Sequence, residues 1–266
     1  MSALQVQAGE LLASGKAEVV IGYGEGTRGR VRPVFVRTRA DMSLLVFDGR
    51  CTANLTVYLA KPEVGRMGKA AIVATPGAVR SLIQLIAEHQ VDPGEVVVLA
   101  ADDDAVTLLT DPAALEAYAA AHPVTIPPEA KAVTESLARM SAQERRAFWD
   151  AELSRCFKCY ACRSACALCY CTRCITDMNQ PQWVCVAPHA LGVMEWHLNR
   201  AMHMAGRCVQ CGSCTSACPA GIPIGLLAME ASRSVEKEFG AQAGLRCDAP
   251  PALSSFAADD RESFIL

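Results

Sequence analysis

An α/β domain followed by a mostly α-helical, cysteine-rich domain is the fold this sequence predicts, and two observations carry it. Residues up to about Leu115 alternate Val, Ile and Leu runs with Gly and Pro turns and hold one cysteine, Cys51. Between Cys156 and Cys218 the chain places twelve of its 14 cysteines, mixed with Arg, Met and His. A composition shift of that size within 266 residues favours two domains over one. The boundaries read as 1–115 for the α/β domain, 116–140 for a linker, 141–240 for the cysteine-rich domain and 241–266 for a tail.

Val19-Val20-Ile21 and Val34-Phe35-Val36 are β-branched or aromatic runs bounded by Gly and Pro, which predicts strands. Leu44-Leu45-Val46-Phe47 reads as a third strand, closed by the turn Asp48-Gly49. Lys69 to Ala74 is a short buried strand, and Thr75-Pro76-Gly77 then opens a helix to about Gln90. Thr suits the N-cap and Pro the first helical position, and Val79, Leu82, Ile83 and Ile86 share one helical face. Glu95 to Ala101 is the next strand, and strand–helix–strand with a short connection predicts a parallel pair. Gly22-Tyr-Gly24-Glu-Gly26 lacks the dinucleotide-binding spacing and reads as a flexible turn.

Between Asp111 and Pro128 the chain is Ala-rich and Pro-punctuated, as expected of a connection between the halves. Ser141-Ala-Gln-Glu144 is a capping box, and the helix it starts delivers the chain to Cys156. Ile222 to Phe239 mixes Leu226, Leu227, Met229 and Val235 with charged residues, an amphipathic helix ended by Gly240. The tail is polar, with Pro250-Pro251 and the acidic stretch Asp259-Asp260.

A hydrophobic content of 52% with 20% charged residues is that of a packed globular protein. The formal net charge of -3 gives no reason to invoke nucleic acid or an anionic membrane. No signal-peptide pattern opens the sequence, and no run approaches the roughly 18 apolar residues of a membrane span. A cytoplasmic, reducing and low-oxygen setting is the expectation.

Cys156-x-x-Cys159-x-x-Cys162-x-x-x-Cys166 and Cys208-x-x-Cys211-x-x-Cys214-x-x-x-Cys218-Pro219 have the spacing of paired [4Fe–4S] sites. Three thiolates two residues apart wrap the backbone around one cluster, and the fourth ligates its neighbour. Crosswise pairing therefore assigns Cys156, Cys159, Cys162 and Cys218 to a first cluster, and Cys208, Cys211, Cys214 and Cys166 to a second. The domain that holds them is expected to be ferredoxin-like. Zinc is the rival, although zinc sites commonly repeat Cys pairs across a longer loop.

Cys169, Cys171 and Cys174 are surplus to these sets and suggest a third iron–sulfur centre, with Cys51 or Cys185 as a fourth ligand. The competing reading is that some are buried thiols packing as small hydrophobes. Cys247 stands alone in the tail. His189, His197 and His203 read as packing or supporting residues rather than ligands. Arg163, Arg173, Arg200 and Arg207 lie among the thiolates, where guanidinium groups would favour reduction of a negatively charged cluster. The start of the helix after Thr75 is also a place where an anion could sit.

Two segments and the cysteine block resemble a known family. Lys69-Ala-Ala-Ile-Val-Ala-Thr75-Pro76-Gly77-Ala-Val-Arg-Ser-Leu resembles the first-domain signature of the beta subunits of deazaflavin-dependent hydrogenases and formate dehydrogenases. Leu45-Val-Phe-Asp-Gly-Arg-Cys51-Thr-Ala-Asn54-Leu-Thr-Val-Tyr-Leu is similar to the segment before it. Cys156-Phe-Lys-Cys159-Tyr-Ala-Cys162-Arg-Ser-Ala-Cys166-Ala-Leu-Cys169-Tyr-Cys171 resembles the cysteine block of formate dehydrogenase beta-like proteins. Such proteins are found beside heterodisulfide-reductase-like, formate dehydrogenase and hydrogenase subunits.

The resemblance implies two 4Fe-4S clusters, partner subunits of those kinds, and FAD with its phosphate near Thr75, Pro76 and Gly77. This chain departs from the family in an abbreviated flavin-binding core, which argues against FAD, and in Ala167, where a Pro usually follows the fourth cysteine. The expected function is an electron-transfer subunit that relays single electrons between partners of a cytoplasmic oxidoreductase. The alternatives are a flavin-bearing beta subunit that itself reduces a deazaflavin or nicotinamide coenzyme, and a structural zinc protein.

Overall fold

The computed structural model describes residues 2–102, 105–178 and 180–253. The acidic stretch Asp259-Asp260 expected in the tail lies outside the described residues. The chain divides into two compact units, one of Met1–Val124 with Ala243–Pro250, the other of Thr125–Gln242 with the residues after Pro250.

The first unit is an α/β fold. In chain order it contains α1 (Ala3–Ala13), β1 (Val19–Glu25), β2 (Val31–Val36), α2 (Pro62–Gly65), β3 (Ala70–Ala74), α3 (Pro76–Ala87), β4 (Val96–Ala101), β5 (Val106–Leu109) and α4 (Pro112–Ala121). The strands form one sheet in the order β2-β1-β3-β4-β5. The central pairs β1–β3 and β3–β4 are parallel, and the outer pairs β1–β2 and β4–β5 are antiparallel. The register runs Ile21↔Ile72↔Val98↔Leu109. Every residue of β3 and β4 is buried, which is why these strands read as continuous apolar runs rather than alternating ones. Pro33 sits on the edge strand β2, where a missing ladder donor is tolerated.

The helix predicted from Thr75 is α3, with the Thr75 side chain accepting from the Ala78 N–H. It stops at Ala87, short of Gln90, because His89 turns left-handed at φ 56° and the Gln90 N–H closes back on the Leu85 carbonyl.

Two expectations are corrected. Gly22 and Gly24 belong to β1 and form no turn. A Cβ at Gly22 would stand 2.5 Å from Leu45 Cδ2, and one at Gly24 would stand 2.6 Å from Val34 Cγ1. Those glycines are there to let neighbouring side chains lie across the strand. Leu44–Phe47 is not a strand. Arg39–Leu44 is a 3-10 turn, and only Val46 bridges to Tyr23. The chain is then turned away by Arg50, whose guanidinium holds both Asp48 and Glu25 at 2.7 Å.

The Asp111–Pro128 connection begins as a helix. Asp111 caps α4, and Leu115, Tyr118 and Ala119 are buried in the first unit's core. Residues 116–140, expected as a linker, hold the rest of α4 and α5 (Pro128–Arg139).

Among its described residues the second unit has helices and no strand. After α5 come α6 (Ala142–Leu153), α7 (Ala161–Ser164), α8 (Ala190–His203), α9 (Ser213–Ser216) and α10 (Gly225–Phe239). The Ser141–Glu144 capping box is formed, and the Cys156 N–H bonds the Leu153 carbonyl as α6 hands over to the first cysteine. Gly240, at φ 66°, ends α10. A small core of Leu153, Cys162, Val193, Met194, Ile222 and Ile224 joins the two cysteine motifs to α6 and α8. No helix among the described residues is long and apolar enough to cross a membrane.

Candidate metal centres

The two cysteine motifs fold into the same loop. In the first, Lys158 and Tyr160 are left-handed at φ 56° and 57°. In the second, Gln210 and Gly212 are left-handed at φ 61° and 76°. Each loop then enters a one-turn helix, α7 or α9, that carries the third cysteine. The closing bonds correspond one for one: Ser164 to Tyr160 and Cys166 to Arg163 in the first loop, Ser216 to Gly212 and Cys218 to Thr215 in the second.

A non-glycine residue in this region costs on the order of 1 kcal/mol or more. The loops accept that at Lys158, Tyr160 and Gln210. The left-handed turns aim N–H groups at sulfur: Lys158 N–H donates to Cys156 Sγ at 3.4 Å, and Gln210 N–H donates likewise to Cys208.

Cys156, Cys159 and Cys162 of the first loop line one cavity together with Cys218 of the second. The cavity encloses about 320 Å³, counting its solvent-facing mouth. Trp196, His197, Ile222 and Ile224 complete its wall. His197 is buried on α8 with Nε2 3.3 Å from Cys156 Sγ. Burial, with Arg200 and Lys158 nearby, pulls its imidazole down to about 4, so near neutrality it is uncharged and can donate to sulfur through one nitrogen. The Lys158 ammonium is buried and donates to the Cys185 carbonyl.

The second set also comes together. Cys208 has Cys214, Cys211 and Cys166 as its interacting neighbours, and Cys214 has Cys166 and Cys211. As bare thiols these groups resist ionisation. Burial pushes Cys162 up to about 11 and Cys208 up to about 12, and raises Cys156 and Cys214 as well. A cation reverses that balance by stabilising the thiolates.

The residues present fit iron–sulfur clusters. Soft thiolates ring a cavity, N–H donors face sulfur, and two buried polar atoms, Arg200 Nε and His197 Nδ1, have no hydrogen-bond partner. Among the described residues no three His, Cys, Asp or Glu side chains converge closely enough to hold a single metal ion.

The surplus cysteines have separate surroundings. The neighbouring Cys166 side chain, with Arg200, brings the Cys169 thiol down to about 7. Cys174 lies beside the Arg163–Asp177 ion pair (2.8 Å), and Asp177 accepts its N–H at 3.0 Å. Cys171 is exposed. Cys185 Sγ stands 3.2 Å from His189 Nε2, while His189 Nδ1 caps α8 by accepting from Gly192. Cys51 and Cys247 belong to the first unit. Cys51 is buried with its thiol 3.9 Å from the Val46 carbonyl, and the Cys247 N–H donates to Glu116.

Arg207 donates to the Leu168 carbonyl and lies over the Tyr170 ring. Arg173 acts on Asp177 from a distance. Arg200, which the sequence groups with Arg163, Arg173 and Arg207, is set apart from them by its burial. The three-residue spacing of His197 and Arg200 on one helix was the available signal.

No family model matches the chain. It is 29% identical over 107 residues to the F420-dependent formate dehydrogenase subunit beta of Methanocaldococcus jannaschii, covering 40% of this chain and 27% of that protein. It is 33% identical over 108 residues to the F420-dependent formate dehydrogenase 1 subunit beta of Methanococcus maripaludis, covering 40% and 26%. The chain thus spans about a quarter of the length of these relatives. Both are beta subunits of the kind that the quoted segments resemble.

Proposed function

We propose that this chain is an electron-transfer subunit of an oxidoreductase, with a ferredoxin-like second unit that holds two [4Fe–4S] clusters. One observation carries the reading: four thiols from two motifs far apart in sequence line a single cavity, in the crosswise combination that the spacing assigns. The two similar relatives, named as formate dehydrogenase beta subunits, support an oxidoreductase role with partner subunits.

When bound, clusters of this kind accept and release single electrons. The chain's own residues do the rest. Cys156, Cys159, Cys162 and Cys218 would hold one cluster, and Cys208, Cys211, Cys214 and Cys166 the other. Lys158 and Gln210 direct N–H groups at ligand sulfurs, which favours the thiolate and the more negative state. Trp196, Ile222 and Ile224 limit water around the first set. A further cluster on Cys169, Cys171 and Cys174, with Cys185 of the same unit, extends the proposal, on the density of thiols alone.

The test is anaerobic preparation followed by iron and sulfide analysis and electron paramagnetic resonance of the reduced protein. Two interacting cluster signals are expected. Zinc with little iron would overturn the reading.

The word F420-dependent in the relatives' names also favours a second reading, in which the chain itself takes part in coenzyme reduction, with FAD near Thr75, Pro76 and Gly77 as the resemblance implies. Flavin absorption beside the broad cluster band would separate it from the first.

A further inference from the structure

Helix α8 carries one buried face past both sets of thiols. His197 meets Cys156 Sγ, and one turn later Arg200, only 4% exposed, donates through Nη2 to the Cys162 carbonyl at 3.1 Å. Cys162 lines the first cavity. The same guanidinium interacts electrostatically with the thiols of Cys214, Cys166 and Cys169, and Cys214 and Cys166 belong to the second set. Its remaining donor, Nε, is buried without a partner.

We infer that Arg200 is the shared counter-charge of the two cluster sites, a single buried guanidinium that bonds a ligand residue of the first, lies within electrostatic reach of ligand residues of the second, and sets their potentials together. The inference rests on the two-cluster reading above.

The physical argument is one of charge and burial. A [4Fe–4S] centre with four thiolates is negative, and each electron added makes it more so. A fixed cation in a poorly polarisable interior stabilises the reduced state more than the oxidised one. Among the described residues no other arginine near the thiols is as buried. Arg163 is spent on Asp177, and Arg155 pairs with Glu152 at the surface. The fork shape matters as much as the charge, because one planar group can bond the Cys162 carbonyl and keep further donors for sulfur. A cation between two sites also offsets the repulsion that the first electron exerts on the second.

Three full-length proteins decide it: the parent, Arg200→Gln and Arg200→Lys, each analysed for iron and then titrated potentiometrically under resonance detection. The Gln variant is expected to lower both midpoints, with the reduced state disfavoured at least tenfold at each site, which for one electron is about 59 mV. Arg233→Gln, a surface change on α10, should leave both midpoints unmoved.

Unchanged midpoints in an iron-replete Gln variant overturn the inference. If the Gln variant does not retain iron, Arg200→Lys carries the test. A single ammonium cannot serve both sets, so the separation between the two midpoints should change. Two unmoved midpoints there overturn the inference. A parent protein without iron would instead defeat the two-cluster reading itself, so the two failures are distinguishable.

Discussion

Cys218, the last cysteine of the second motif, lines the same cavity as Cys156, the first cysteine of the first motif. Burial raises the Cys156 thiol, and the nearby Cys159 and Cys218 add to that. Ile222 and Ile224, just beyond Cys218, pack in the same small core as Leu153 and Cys162. The apolar contacts thus fix the meeting of the two loops, and any metal bound there inherits a prepared site.

Anaerobically prepared protein should contain about eight iron and eight sulfide from two four-iron clusters. Colorimetric iron and acid-labile sulfide assays check this, and a third centre would raise both counts together.

Cys211→Ser should damage the second cluster, because a serine oxygen is a poorer partner for iron–sulfur bonding than thiolate. Cys247→Ser should leave iron content unchanged, since Cys247 packs against the first unit's core. Equal iron loss in the two variants would sink the ligand assignment.

Cys171→Ser addresses the surplus thiols. If Cys169, Cys171 and Cys174 hold a further cluster, iron should fall by about four atoms. An unchanged count, with all three thiols alkylated in the folded parent, would make them bystanders.

The reactivity of Cys247 should depend steeply on pH. Burial, reinforced by the nearby Glu116 carboxylate, pushes its thiol up to about 12. Only the thiolate attacks iodoacetamide, so the folded protein should be alkylated there roughly a thousandfold more slowly at pH 8 than a thiol near 9. The rate should climb with pH until about 12. Peptide mapping by mass spectrometry reads it.

Gly24→Val should destabilise the first unit by about 1–3 kcal/mol, the usual range for overpacking. Its Cβ would meet Val34 Cγ1 at 2.6 Å and the Leu44 carbonyl at 3.0 Å. Urea unfolding followed by circular dichroism measures the loss, and an unshifted midpoint would contradict the packing described here.

Much of the first unit was legible because β3, α3 and β4 carry their own signals: apolar runs, a Thr cap and a Pro at the first turn. Asp111-Pro112 offered the same cap-and-Pro signal for α4, and the Ala-rich composition masked it. The Gly22–Gly26 run misled because glycine marks close approach as well as turning, and only the fold shows Leu45 lying over Gly22. In the candidate site, spacing disclosed the repeated motifs. It did not disclose left-handed Lys158 and Tyr160, since nothing in a lysine or tyrosine announces that conformation. The position of Arg200 is a tertiary fact: Cys162, whose carbonyl it bonds, and Cys214, which feels its charge, lie on either side of it in sequence.

The first unit is made of two stretches of chain, and the second stretch arrives last. Ala243 accepts from the buried Arg80 guanidinium, Gly244 donates to Gln84, and Cys247 donates to Glu116. On the ribosome the sheet can form early, yet these three ties must wait until the cysteine-rich stretch up to Gln242 has been synthesised. At about 5–20 residues per second, that delay lasts many seconds. During it Arg80 lacks the Ala243 acceptor, and the nascent sheet domain is a partly finished body that chaperones and proteases can examine. A stop after Gln242 would make that interim state permanent, which couples the completeness of the sheet domain to successful synthesis of the cysteine-rich one.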